Sequence, residues 1–322
     1  MSLQYNILWV DDRKDEYQTL EIDKELENYL NDLFFEPHIY MYENVEEAEK
    51  KLSQIKYDVI FSDYNIGENK NGKDFIIDIR KLNVKAEILF YSAQEKPPAT
   101  ETDRISFLQL QSNTAYEELK DKMKSVIDLT VEKLNDLTNL RGLVMAEVSE
   151  LDMMMEEIIK KYYLEKETNS KEWSNFQKKI IKRVEEDVKK KILPKVSKTD
   201  NNEEKEHCEK DCFHIWSNAE SIEEIITKFE FDSSKKAHTI HEIAKEIFDC
   251  KIFTFSEYDN EIIQVRNNLA HSKSVIKDGV EVLVTKKGGE IDFNQEYFIK
   301  IRRDIKKYLE IFEKIEKKIR EK

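Results

Sequence analysis

Short apolar runs alternate with amphipathic stretches through the first third of this chain. "NILWV" (6–10), "HIYMYE" (38–43), "YDVIF" (57–61), "AEILFYS" (86–92) and "ISFLQL" (105–110) are continuous apolar runs. That is how strands buried on both faces read. Residues 15–34 and "VEEAEKKLSQI" (45–55) separate them with helical patterning. The rhythm predicts a doubly wound five-stranded parallel sheet with helices on both faces, a flavodoxin-like α/β fold.

From Ala115 to about Lys166 the pattern turns helical, with a weak interruption at "LTNLRG" (137–142). Val144, Val148, Leu151, Met155, Ile158 and Tyr162 recur at steps of three and four, one apolar helical stripe. The final segment repeats this through Tyr297, Ile301, Ile305, Tyr308, Phe312, Ile315 and Ile319. Stretches 171–197 and 220–250 also read as helices, 199–211 as a charged loop, and 280–293 as a small β-hairpin turning at Gly288–Gly289. The expectation is an all-α bundle carrying one hairpin. No Pro/Gly/Ser-rich linker marks the junction, and the two domains are placed at 1–128 and 129–322.

Composition narrows the class. Of 322 residues, 37 % are charged, and there are only six glycines and four prolines, which favours helix over turn-rich structure. The net charge of −14 argues against a general nucleic-acid coat protein. Three sparse cysteines, Cys208, Cys212 and Cys250, point to a reducing compartment. With no charged-then-apolar leader and no long apolar run, a cytoplasmic protein off the membrane is expected. "HCEKDCFH" (207–214) is too irregular for a zinc knuckle. The His238/His241 pair reads as structural and "MMM" (153–155) as core.

The polar residues at strand ends carry chemistry. Asp11, Asp12, Asp63 and Ser92 all fall at carboxyl ends of predicted strands, the edge where open α/β sheets bind ligands. Three converging carboxylates repel one another unless a hard cation joins them, and Mg²⁺ suits such oxygens. In these features residues 1–125 resemble the receiver domain of two-component response regulators. The resemblance implies that Asp63 is the phospho-acceptor, that Asp11, Asp12, Asp63 and the Asn65 backbone carbonyl hold Mg²⁺, and that the Ser92 hydroxyl binds the phosphoryl group. It also implies a sensor histidine kinase or other phosphodonor as partner. Two departures stand out. Receivers carry a lysine at the end of strand 5, where this chain has Gln109 and Gln111, and the loop after Asp63 is long and polar.

"RNNLAH" (266–271) places Arg266, Asn267 and His271 near the end of a predicted helix, before the hairpin. A guanidinium grips phosphate and an imidazole moves protons near neutral pH. The Arg-x4-His pattern late in a helical domain resembles the HEPN family (higher eukaryotes and prokaryotes nucleotide-binding). That resemblance implies a metal-independent endoribonuclease acting as a homodimer, with Arg266, Asn267 and His271 catalytic and no cofactor. From Lys300 to Lys322 there are ten basic and five acidic side chains, an excess able to guide RNA. No basic helix–turn–helix stands out, so DNA is not expected as a partner.

The combined reading is a response regulator with a HEPN-like RNase output, acting in stress or phage defence. Its alternative is a non-enzymatic adaptor whose receiver controls a dimerisation or binding domain.

Overall fold

The computed structural model describes residues 3–52, 54–66, 72–81, 85–93, 104–111, 115–164, 171–187, 221–228, 231–278, 280–285 and 288–321. The chain forms two compact units. One comprises Met1–Glu147 with Ile276–Val282 and Ile291–Arg303, the other Val148–Val275 with Leu283–Glu290 and Asp304–Lys322. The division expected at 128/129 falls inside a continuous helix, Ala115–Leu134.

The first unit holds a five-stranded parallel sheet: β1 (Gln4–Val10), β2 (Glu36–Tyr42), β3 (Val59–Asp63), β4 (Glu87–Ser92) and β5 (Ile105–Gln109), in the order β2-β1-β3-β4-β5. Alternate side chains explain the unbroken apolar runs. Tyr5, Ile7, Trp9, Val59, Phe61, Leu89 and Tyr91 pack on one face against α2 (Ile22–Asp32) and α5 (Ala115–Leu134). Leu8, Val10, Ile60, Ile88 and Phe90 pack on the other against α3 (Val45–Leu52) and α4 (Gly72–Lys81). Both faces are covered, so both parities must be apolar. The stretch 15–34 is not one helix. A short α1 (Lys14–Thr19) ends before Glu21, whose left-handed backbone (φ 57°) starts α2 in a new direction.

The helical pattern from Ala115 breaks at 135–136, just before the expected interruption, and α6 (Leu137–Leu164) follows. Asp136 accepts the Thr138 N–H at 2.9 Å, capping the new helix.

The second unit contains most of α6, then α7 (Lys171–Asp187), α8 (Ile222–Ile226), α9 (Ser233–Phe248), α10 (Phe255–Tyr258) and α11 (Gln264–His271). A π-helical turn, Asp259–Ile263, joins the last two. A capping box starts α10: the Thr254 hydroxyl accepts the Glu257 N–H, and the Glu257 carboxylate accepts the Thr254 N–H. The long helix α12 (Gln295–Arg320) carries the final stripe. Val148, Leu151, Met155 and Ile158, and Ile305, Tyr308, Phe312 and Ile315, are buried within the single chain. The stripes therefore belong to the chain's own core. Of the three methionines only Met155 is core, and Met153 is 48 % exposed.

The hairpin is present as β7 (Val280–Val284) and β8 (Glu290–Asp292), turning at Gly288, which has φ +79°. A third strand, β6 (Lys273–Lys277), joins it in the order β6-β7-β8. All five of its residues are exposed, so its sequence carried no burial signal.

Candidate functional site

In the sheet order of the first unit, β1 stands between β2 and β3. The chain leaves β1 toward one side and returns for β3 on the other, opening a crevice beyond their carboxyl ends. Asp11 and Asp12 follow β1, and Asp63 ends β3. Carboxylate oxygens of all three lie within 4.8 Å of one another. Residues some fifty positions apart thus meet, as the sequence predicted.

Their environments differ. Asp11 is 1 % exposed, Asp63 half-buried and Asp12 exposed. Asp11 is held by two donors: its Oδ1 accepts the Arg13 N–H at 2.8 Å and its Oδ2 accepts the Tyr91 hydroxyl at 2.6 Å. Tyr91 in turn accepts the indole N–H of Trp9 at 2.7 Å. Burial pushes the Asp11 carboxyl above the usual carboxylate range, against the pull of these donors and of Arg13. Asp63 is also raised, by burial first and by the charges of Asp11 and Asp12. Its Oδ1 accepts the Asn65 N–H at 3.0 Å, a local turn that fixes the carboxylate.

Ser92 is buried at the end of β4, and its Oγ accepts the Asn65 side-chain amide at 2.8 Å. Gln109 lies opposite Ser92 in the β4–β5 register and is exposed. It can donate a hydrogen bond but supplies no charge. Gln111 is exposed as well. Sequence reasoning passed over Arg13, Tyr17 and Tyr91. Tyr91 sits inside an apolar run and reads as core, whereas Arg13 directly follows the acidic pair and was open to notice.

The Arg266 motif is arranged differently. On α11, the guanidinium donates to the Asn267 side-chain oxygen at 3.2 Å and 3.4 Å and to the Ser233 hydroxyl at 3.4 Å. Ser233 donates onward to Asp152 on α6. Arg266 thus lies half-buried beside a carboxylate that burial pushes up and that Arg266 pulls down. The Asp152 Oδ1 and the Tyr258 hydroxyl are buried there without a hydrogen-bond partner. His271 is exposed at the end of α11, and no hydrogen bond joins it to Arg266. The motif is on one helix, but its two ends do not meet. Asp152, Ser233 and Tyr258 were not visible as partners, because each is remote in sequence.

The basic final helix is also less available than its composition suggests. Arg302 is 1 % exposed. It donates to the Leu33 carbonyl at 2.8 Å and to Asn135 Oδ1 at 2.9 Å, and lies 4.6 Å from the Phe35 ring centre. Lys307 pairs with Glu261 at 2.7 Å. His238 stacks on Phe255 at 3.6 Å and His241 meets Phe253 edge-on, consistent with structural roles. Residues 207–214, with Cys208 and Cys212, lie outside the described residues, and Cys250 is exposed.

No family model and no curated protein matches the chain. Among solved structures it is similar to response regulator protein TrrA from Thermotoga maritima, in complex with Mg²⁺ and BeF. That match has 25 % identity and TM-score 0.29, and covers 38 % of this chain and 98 % of that one. It is also similar to chemotaxis response regulator CheY4 of Vibrio cholerae, with 20 % identity, TM-score 0.30, and 38 % and 98 % covered. A third is a two-component response regulator from Clostridium difficile, with 24 % identity, TM-score 0.29, and 39 % and 97 % covered. By its own coordinates the first unit is a doubly wound parallel sheet of order β2-β1-β3-β4-β5 with Asp11, Asp12 and Asp63 gathered at its switch point.

Proposed function

We propose that this protein is a response regulator whose first unit accepts a phosphoryl group on Asp63. The observation carrying this reading is the convergence of Asp11, Asp12 and Asp63 within 4.8 Å at the switch point of the sheet. The donor set fits Mg²⁺: three carboxylates supply hard oxygen ligands, and two of them are raised by burial, a cost that a divalent cation offsets. Asp11, Asp12, Asp63 and the Asn65 carbonyl would hold it. When bound, it would supply positive charge to offset the carboxylates and the incoming phosphoryl group.

The protein's own residues do the rest. An Asp63 oxygen attacks phosphorus in line with the leaving group, which departs with the electron pair of the broken bond, P–N from a phosphohistidine or P–O from acetyl phosphate. Asp11 is kept in place by Tyr91 and the Arg13 N–H. The Ser92 hydroxyl is positioned by Asn65 to bond a phosphoryl oxygen. A sensor histidine kinase or another phosphodonor is the partner this chemistry calls for. The test is acetyl phosphate with Mg²⁺, read by intact mass: one phosphate adds to the parent and none to Asp63→Asn. A parent that stays unmodified, or a variant that is modified, refutes the reading.

For the helical half the geometry favours the adaptor over the ribonuclease. Arg266 is engaged with Asn267 and Ser233 beside Asp152, and its bonds do not reach His271. RNA incubated in EDTA with the phosphorylated and unphosphorylated full chain is expected to stay intact. Cleavage by the parent that disappears in His271→Ala would restore the ribonuclease reading. Light scattering of the full chain, in both phosphorylation states, tests the homodimer.

A further inference from the structure

We propose that Arg13 is the cation that binds the phosphoryl group on Asp63, the charge that Gln109 cannot supply. This deepens the receiver reading and rests on it. A phosphoryl group brings roughly −1.5 to −2 charges at neutral pH into a crevice that already holds three carboxylates. A divalent cation offsets only part of that total. Among the described residues, Arg13 is the positively charged side chain acting on Asp63, and it acts on Asp11 as well.

Its geometry suits the task. The Arg13 Nε lies 3.7 Å from Asp11 Oδ1, its Nη2 donates to the Tyr17 hydroxyl at 2.9 Å, and the guanidinium stands 5.5 Å from the Tyr17 ring centre. Tyr17 is fully buried, so the fork is steered from a rigid base. Among the described residues no hydrogen bond is made by its Nη1, and the side chain is 40 % exposed. The fork can therefore pivot on Tyr17 and present two N–H groups to phosphoryl oxygens. Arg13 makes no covalent bond and stays protonated. The Asp63 oxygen bonds to phosphorus while acetyl phosphate loses acetate with the P–O electron pair.

The experiment uses the full chain with acetyl phosphate, Mg²⁺ and beryllofluoride. Arg13→Gln is expected to slow phosphorylation of Asp63 about 10- to 100-fold, the worth of a charge-assisted hydrogen bond, and to weaken beryllofluoride binding similarly. Mg²⁺ binding without phosphodonor should stay equal or tighten, since a cation beside its ligands is gone. A packing role would instead lower the melting temperature and weaken both. Arg13→Gln phosphorylated at the parent's rate, or losing Mg²⁺ affinity as much as phosphorylation, overturns the proposal. Arg13→Lys keeps the charge and loses the fork. It is expected to stay within about 10-fold of the parent; if Arg13→Gln does not fold, Arg13→Met takes its place, and an Arg13→Met phosphorylated at the parent's rate overturns the proposal. A parent that takes up no phosphate brings down the receiver reading itself. A phosphorylated parent with an unimpaired Arg13→Gln brings down only the role of Arg13.

Discussion

The acidic crevice and the Arg266 motif were both read from the sequence, but closeness means different things in the two. Asp11 and Asp63 are separated by some fifty residues, and only the parallel pairing of β1 with β3 brings them together. Like charges brought together raise one another's pKa, so their meeting carries a cost that folding alone does not require. Arg266 and His271 lie on one short helix, close along the chain whatever the rest of the fold does. Their proximity costs nothing to arrange and says little. What decides is where each side chain goes, and Arg266 goes to Ser233 and toward Asp152. A site assembled by the fold outweighs one assembled by adjacency.

The largest effect expected from perturbing this contrast comes from Tyr91. Its hydroxyl donates to Asp11 and accepts from Trp9, so Tyr91→Phe removes the hold on one of the three gathered carboxylates without touching the carboxylates themselves. Mg²⁺ affinity, followed by titration of the full chain, is expected to fall about 10- to 100-fold, the usual worth of such supporting bonds. An affinity within twofold of the parent would mean that Asp11 needs no support from beneath.

Arg266 probes the other side. If it serves chiefly to balance Asp152, Arg266→Ala leaves a buried carboxylate with only one, Lys236, of the two positive charges that act on it. The expected loss is about 1–3 kcal/mol of stability, read as a lower chemical-denaturation midpoint. Asp152→Asn combined with Arg266→Ala should recover part of it, since the charge needing balance is gone. His271→Ala, at an exposed helix end, should leave stability within about 0.5 kcal/mol of the parent. The opposite ranking, with His271 the costlier change, would reverse the comparison.

These contrasts also mark what was legible. The five strands were legible because both faces are covered, which leaves an unbroken apolar signature. The exposed β6, "KSVIK", sends no such signal. The acidic residues were legible because polar groups at strand ends interrupt that signature, whereas Tyr91 extends it and was hidden. Arg302 was counted in the basic excess of the last helix, yet it is buried against Phe35, its pKa pushed down to about 10 by desolvation. Nothing local distinguishes it from Arg303, which is exposed. Only the tertiary position of the helix start decides which of two adjacent arginines is core. The position near 128 carries no mark for a related reason: it lies within the continuous helix Ala115–Leu134, which gives no compositional break.

The smallest expected effect concerns protons in the helical half. A histidine working as acid or base keeps a pKa near neutrality, but His238, pressed face to face on Phe255, is pushed down to about 4 by burial, with Arg183 adding to the shift. The sign follows from linkage. Between pH 6.5 and about 4 the unfolded chain binds a proton at this position that the folded chain refuses, so the fold loses stability as pH falls through that window. Above pH 6.5 the term is constant. Because the ring is only half-buried, solvent screening reduces the loss to about 1–2 kcal/mol. Denaturation midpoints of the parent and His238→Phe, compared at pH 7 and pH 4.5, isolate it: the parent should lose more than the variant, whose phenyl ring keeps the stack and takes no proton. Equal losses would mean that His238 titrates alike in both states, and that this half retains a histidine free to move protons.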